Sequence, residues 1–383
     1  MKKVAVLSII FLLLSASVVV IDIGSATPNK SILDKQINSL HPLLIMKHLN
    51  KFQNYQPGIG KHLQIKMDPF NNFIFSPEDI ELKDDAFHGA DNLHFTEWWY
   101  FDALFDNGYS VQVGIRVLGV MNQGLVIIRF DIYKDGKLLS HELKKYIMWD
   151  FFASEEVPLV KLKREQYMEG YINETTGDWV FDLSVGLDES SAELNFVGCT
   201  KGWKGSTPGG EWAVILPRAE VQGTIKLKNE EINVSGTGYH DHNWEVTVLT
   251  GINFGWFWGK VNSNNHTMTW SKIMTTRFWG QPLLVINEKN GSYTNIEPEY
   301  FNLLVKDFHI EQGMLVPYSF ILDAKKGNVS LHVNMEVFDT HHVRWMGIIN
   351  YWRYHMRCTG SITIGSKSEP IDETQIAEYI RFR

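Results

Sequence analysis

Two short stretches of this chain hold the residue types that can move a proton inside an apolar surround. The first is Glu97-Trp98-Trp99-Tyr100-Phe101, and the second is Gly236-Thr237-Gly238-Tyr239-His240-Asp241-His242-Asn243-Trp244-Glu245. A carboxyl group set among indoles loses solvation in its charged form, so its pKa is expected to rise and it becomes a proton donor near neutral pH. Two imidazoles spaced by one residue on a strand aim the same way and can take, hold or return a proton. The plainer alternatives are a Glu at a strand end paired with an Arg or a backbone amide, and a hydrogen-bonded structural histidine. For Glu97 alone the plainer reading is preferred, whereas the five polar and aromatic residues around His240 and His242 favour a functional one.

A His-x-His pair also suits a metal ion, with His341-His342 as a further source of ligands. There is no HExxH, no carboxylate-rich frame and no cysteine nearby, so a metal-free site is the expectation, with no cofactor. A serine nucleophile lacks its GxSxG turn, and neither a Gly-rich phosphate loop nor a dinucleotide fingerprint is present.

The elements that must position these residues read as strands. From about Phe73 onward, polar and apolar residues alternate, as in Tyr109-Ser-Val-Gln-Val-Gly-Ile-Arg-Val. Turn residues recur at Asp106-Asn107-Gly108, Asp135-Gly136, Asn229-Glu230, Lys289-Asn-Gly291 and Lys326-Gly-Asn328. Hairpins at this spacing predict antiparallel sandwiches or barrels, and about 300 residues of them predict two. A three-residue loop at Asp106–Gly108 pairs Phe105 with Tyr109. Glu97, Trp99, Phe101, Ala103 and Phe105 then share the apolar face of Val111, Val113 and Ile115. A two-residue loop would instead turn Asp102 and Asp106 inward, which costs more. Parity carried from Ile232 and Val234 puts His240, His242 and Trp244 on the core face, and Tyr239, Asp241 and Asn243 on the other, unless the glycines bulge.

The composition supports a large core: 44% apolar and 21% charged residues, with 13 Trp, 14 Tyr and 22 Phe. That aromatic load suggests wide aromatic-lined interiors or a site for an apolar or electron-poor group. A net charge of −8 offers no basic stripe for nucleic acid. Two cysteines, Cys199 and Cys358, exclude a disulfide scaffold. Met1-Lys2-Lys3, an apolar run from Val4 to Ile21 and a small-residue end at Ala26 predict a secretory signal peptide over 1–26, with an uncleaved membrane anchor as the alternative. Either places the protein outside the cytoplasm or at a membrane surface. Residues 27–72 are expected to be a helical or linker segment interrupted at Pro42. Barrels are expected over 73–236 and 237–383, with the boundary near Gly236-Thr-Gly238.

The pairing of Glu-Trp-Trp-Tyr-Phe with a distant Gly-Tyr-His-Asp-His-Asn-Trp resembles the lipocalin-like family of carotenoid 1,2-hydratases, AttH-like proteins and fungal Diels–Alderases. The resemblance covers roughly Phe73 to the end. It implies two lipocalin-like antiparallel β-barrels packed side by side and cofactor-free chemistry on hydrophobic substrates. For the hydratase branch it implies protonation of a trisubstituted isoprenoid double bond to a tertiary carbocation that water then captures. His240 and His242, with Asp241 or Glu97, would form the acid–base set. Trp98, Trp99, Tyr239, Trp244, Trp256 and Trp258 would line the cation. The expected partner is an isoprenoid lipid or carotenoid, reached at a membrane surface. The family pattern carries glycine where this chain has Glu245. A non-catalytic lipid carrier and a polyene cyclase are the alternatives.

Overall fold

The computed structural model describes residues 63–64, 74–89, 94–120, 123–163, 165–246, 255–274, 280–345 and 349–382. The expected signal segment and most of the expected linker lie outside the described residues. From Leu63 onward the chain forms one compact unit. Nearly all of it is antiparallel strand, and the described helical turns are single 3-10 turns such as Leu82–Asp85 and Met148–Asp150. Among the described residues no helix is long and apolar enough to cross a membrane.

Two sheets form, of 13 and 10 strands. The first runs in order from the Lys137–Ile147 strand through Gln123–Lys134, Tyr109–Val120, His94–Phe105, Glu230–Trp244 and Gly210–Leu227. It ends through Ser190–Gly198, Trp179–Gly186, Glu165–Ile172 and Leu159–Leu162 at Phe151–Ala153. Its first and last strands are joined directly by the Met148–Asp150 turn, so the sheet curls into a nearly closed barrel. Glu142 on one edge, bonded to Ser190 and the Glu189 amide, helps to tie the wall across. The second sheet spans Gly255–Phe382 and takes Leu63–Gln64 against Phe301–Glu311.

The expected boundary at Gly236 falls inside a strand. Glu230–Trp244 pairs without a slip from Gly236↔Phe105 to Asn243↔Trp98, and the change of sheet lies between Trp244 and Gly255. The glycines mark close approaches instead of a domain boundary. A Cβ on Gly236 would meet the Leu104 carbonyl oxygen at 2.1 Å, and one on Gly238 would run into Phe196. The Asp106–Gly108 loop has three residues with Gly108 at φ 81°, and the register from Leu104↔Ser110 onward sets Glu97, Trp99 and Phe101 inward.

The first barrel carries one continuous apolar core. Val111, Val113, Ile115, Val126, Ile128, Phe130, Met168, Phe181 and Phe196 pack its interior as one cluster. Much of the aromatic load lies in buried clusters of this kind. A third cluster joins the two sheets, with Tyr100, Trp203, Trp212, Tyr239 and Trp258 at its heart and Trp98 and Trp256 against it. Buried polar bonds cross the same seam, including Lys260 Nζ to Asp102 Oδ1 at 2.6 Å and Arg353 Nη1 to the Tyr100 hydroxyl at 2.7 Å. Cys199 and Cys358 are both free thiols.

Candidate active site

The Leu82–Asp85 turn reaches into the end of the first barrel and sets a carboxylate against the two motif histidines. Its capping box, between Glu81 and Asp84, fixes the turn, and the indole N–H of Trp99 donates to the Asp85 carbonyl at 3.0 Å. Asp85 Oδ2 then lies 3.0 Å from His240 Nε2. The other ring nitrogen of His240 bonds the Tyr100 carbonyl oxygen at 2.9 Å. A carbonyl only accepts, so His240 Nδ1 must carry a hydrogen, and the bond between Nε2 and Asp85 must hold a second proton.

His242 repeats the pattern. Its Nδ1 donates to the Asp84 carbonyl oxygen at 3.1 Å, and its Nε2 meets Glu97 Oε1 at 2.9 Å. Both histidines, Asp85 and Glu97 are wholly buried. The cluster thus stores two protons beyond neutral imidazoles and ionised carboxylates, one per pair. Stacking holds the rings: His240 lies on Phe101 at 3.8 Å with the edge of Phe181 against it, and His242 lies on Trp99 at 4.6 Å.

The expected rise in the Glu97 pKa is reversed. Burial pushes the carboxyl up, but hydrogen bonds from His242 and from His88 outweigh it and hold Glu97 below the usual carboxylate range. The His88 backbone N–H donates to both carboxylate oxygens, at 2.9 and 3.2 Å. The proton of this pair lies in the bond between Glu97 Oε1 and His242 Nε2.

His88 is the member of the cluster with a path outward. Its side chain is 23% exposed, its Nδ1 lies 3.6 Å from Glu97 Oε1, and that nitrogen is buried without a hydrogen-bond partner. Its ring stacks on Trp244 at 4.2 Å. His88, Glu97 and His242 lie close enough together to offer a cation three ligand atoms, but the bonds described above already satisfy Glu97 and His242 as a proton-sharing pair. The alternative metal set with His341 and His342 does not form. His341 Nδ1 bonds the Tyr133 hydroxyl at 2.9 Å and His342 Nε2 meets Asn350 at 3.1 Å, both on the second sheet.

Parity splits the expected site residues between two faces. Glu97, Trp99, His240, His242 and Trp244 face the barrel interior. Asp241, Tyr239, Trp98, Trp256 and Trp258 lie on the opposite side, in or against the cluster between the sheets. Asp241 accepts hydrogen bonds from Trp212, Tyr239 and Asn243, and burial pushes its carboxyl up to about 7. It cannot join His242 in one acid–base set, because the strand's backbone lies between them. One face of Trp99 and one of Trp244 are taken by imidazoles instead of standing free for a cation.

Sequence reasoning missed Asp85 and His88. Neither sits in an alternating strand; the available signal was the Glu81–Asp84 pair and the acidic run before Phe87-His88. Position 245 answers to the family pattern: Glu245 adopts φ 53°, the left-handed conformation that glycine takes freely. A hollow of about 1110 Å³ lies along the strands carrying Asp182, Glu193, Gln222 and Asn233, with Leu183, Leu194 and Val234 of the first core in its lining, and none of the histidine–carboxylate residues borders it.

No protein-family profile matches the chain. It is 22% identical over 116 residues to a hydroxyneurosporene dehydrogenase of Chlorobaculum tepidum, a match spanning 28% of this chain and 29% of that protein. The chain therefore matches less than a third of that relative's length. Among solved structures it is similar to a putative AttH from Nitrosomonas europaea, with a TM-score of 0.60 and 15% identity over 83% of this chain and 99% of that one. It is also similar to kievitone hydratase from Nectria haematococca, with a TM-score of 0.50 and 10% identity over 85% and 98%. The chain has the AttH-like fold, shared with a hydratase.

Proposed function

We propose that the chain is a cofactor-free hydratase that adds water across a trisubstituted double bond of an isoprenoid chain, in a prenyl lipid or a carotenoid. The observation that carries this reading is the buried His242–Glu97 pair, pinned at every heteroatom, with His88 standing between it and the surface. An alkene is a weak base, so the acid must be held charged and aimed where water does not compete. A His88 imidazolium meets this need. Its Nδ1–H faces the Glu97 carboxylate, and its other nitrogen gives a proton to the double bond. A C–H bond forms and the tertiary carbocation is left. Water then forms the C–O bond and returns its extra proton to His88, so the enzyme ends as it began. Glu97 stabilises the charged ring, and His242 and Asp85 hold Glu97 and the turn in place.

The two buried histidine–carboxylate pairs favour chemistry over lipid carriage, because a carrier has no use for them beside an apolar core. The test is mass spectrometry of lipid extracts from a host that makes unsaturated isoprenoid lipids or carotenoids. Cells with the wild-type chain should contain a species heavier by one water, and cells with Glu97→Gln or His242→Ala should not. Hydration that persists in both variants removes the site assignment. Absence of the product with wild type, together with co-purified unmodified lipid, moves the protein to the carrier class.

A further inference from the structure

The turn that closes the first barrel carries its most exposed aromatic residue. Trp149 is 88% exposed, and Ile147 and Phe152 on either side are 57% and 54% exposed. Leu143 continues the stripe along the outer face of the same edge strand, and Val157 stands on the next turn. Monomer surfaces seldom leave a Trp, a Phe and an Ile in one run uncovered without a partner.

Lysines border this run. Lys145 lies between Leu143 and Ile147 on the outer face, Lys161 pairs across from Phe152, and Lys163 sits beside them. Trp149, Phe152, Lys161 and Lys163 border one shallow recess of about 600 Å³. Of the nearby acids, Asp150 is paired with Lys163 at 3.9 Å and Glu156 with Lys83 at 3.9 Å, and Glu155 stands by the next turn. Apolar tips backed by lysines, in a chain of net charge −8, fit a surface that is apolar below and anionic at its boundary. Trp and Lys are the side chains that settle at that boundary, the indole at headgroup depth and the ammonium snorkelling to the phosphates.

The same rim adjoins the candidate site. The Phe87 amide donates to the Ser154 carbonyl at 2.8 Å, and the Phe87 ring touches both Phe151 at 5.8 Å and Trp99 at 6.4 Å. His88 is the next residue. From this juxtaposition we propose that the Ile147–Phe152 rim, with Lys145, Lys161 and Lys163, docks the protein on an anionic lipid bilayer and turns the His88 mouth toward it. The link to substrate delivery rests on the hydratase reading, but the docking surface does not.

The test uses the full chain with vesicles of phosphatidylcholine and phosphatidylglycerol in equal parts, and with phosphatidylcholine alone. Co-sedimentation is combined with hydrogen exchange resolved by peptide. Wild type should pellet with the anionic vesicles, and residues 145–163 should gain protection. Trp149→Ser with Phe152→Ser should abolish that local protection, and Lys145→Glu with Lys161→Glu should weaken it at least about tenfold. These side chains are exposed, so the variants should melt like wild type. Pelleting without protection at 145–163 would mean that another segment holds the membrane, and it would overturn the proposal. So would a failure to pellet, or protection that grows with protein concentration in the absence of vesicles, which marks a second copy as the occupant. Turnover of a short, water-soluble prenyl alcohol separates the two readings: its loss in wild type sinks the hydratase and leaves the docking result standing.

Discussion

Asp85 and His240 meet at 3.0 Å although 155 residues separate them, and the free ring nitrogen of His240 is fixed on the Tyr100 carbonyl. The second carboxylate oxygen of Asp85 comes within 3.4 Å of His242 Nδ1. One short turn thereby ties both histidine–carboxylate pairs into a single buried unit, so a change in either pair is felt by the other.

Replacing Glu97 by Gln keeps an acceptor for the His88 amide but removes the charge that faces His242 and His88. Hydration should fall about 10²–10³-fold, the range for a lost group that stabilises charge in a water-excluded site. The pH dependence has a defined sign. The folded-state carboxyl is held below its ordinary value of 4.5, so its contribution is present above that pH and is lost as pH falls below it. Thermal melts should show the stability gap between wild type and Glu97→Gln closing under acid conditions.

His88→Ala should silence hydration while leaving the melting temperature nearly unchanged, because the ring is partly exposed and its Nδ1 makes no hydrogen bond. Imidazole added to the buffer should restore part of the rate in this variant and none in His242→Ala, whose ring is sealed inside. Equal rescue of both would remove His88 from the outer position.

Asp241 gives the opposite pH sign. Its carboxyl is raised from 3.8 to about 7 by burial, so the protonated fold is favoured. The benefit is complete below the unfolded value and is lost as pH rises toward the folded one. Between those values the slope reaches at most about 1.4 kcal/mol per pH unit. Asp241→Asn should flatten that part of the stability curve in urea titrations while sparing hydration, because the side chain faces away from His242.

Lys260 is buried against Asp102, which also accepts from the Tyr100 hydroxyl at 3.0 Å. Lys260→Met should cost about 3–5 kcal/mol by stranding the carboxylate between the sheets. Adding Asp102→Asn should recover most of that loss. A double variant no more stable than the single one would show that packing at the seam, not the unpaired charge, set the cost.

Glu245→Gly relieves a left-handed backbone that a non-glycine residue adopts at a cost of about 1 kcal/mol. The variant should melt higher and hydrate at the wild-type rate. A lower melting temperature would show that the Glu245 side chain is used.

The strands, their hairpins and their inward faces were legible in the sequence because strand alternation is local. Once Asp106–Gly108 is a three-residue loop, the orientation of Glu97 follows, and an unslipped strand carries parity from Ile232 to Trp244. Parity also separated Asp241 from His242, although the motif joins them. What only the tertiary structure decided was which groups meet from a distance. Asp85 and His88 lie on a turn with no periodicity to betray it, and they reach the site by crossing the mouth of the barrel. The direction of the Glu97 shift was decided there too. Burial alone raises a carboxyl, and only the donors brought by the folded chain reverse it. The second sheet, through Trp256 and Trp258 of its Gly255–Asn262 strand, likewise drew Trp98 and Tyr239 into the seam, because apolar rings on an outer face are covered wherever another sheet packs against them.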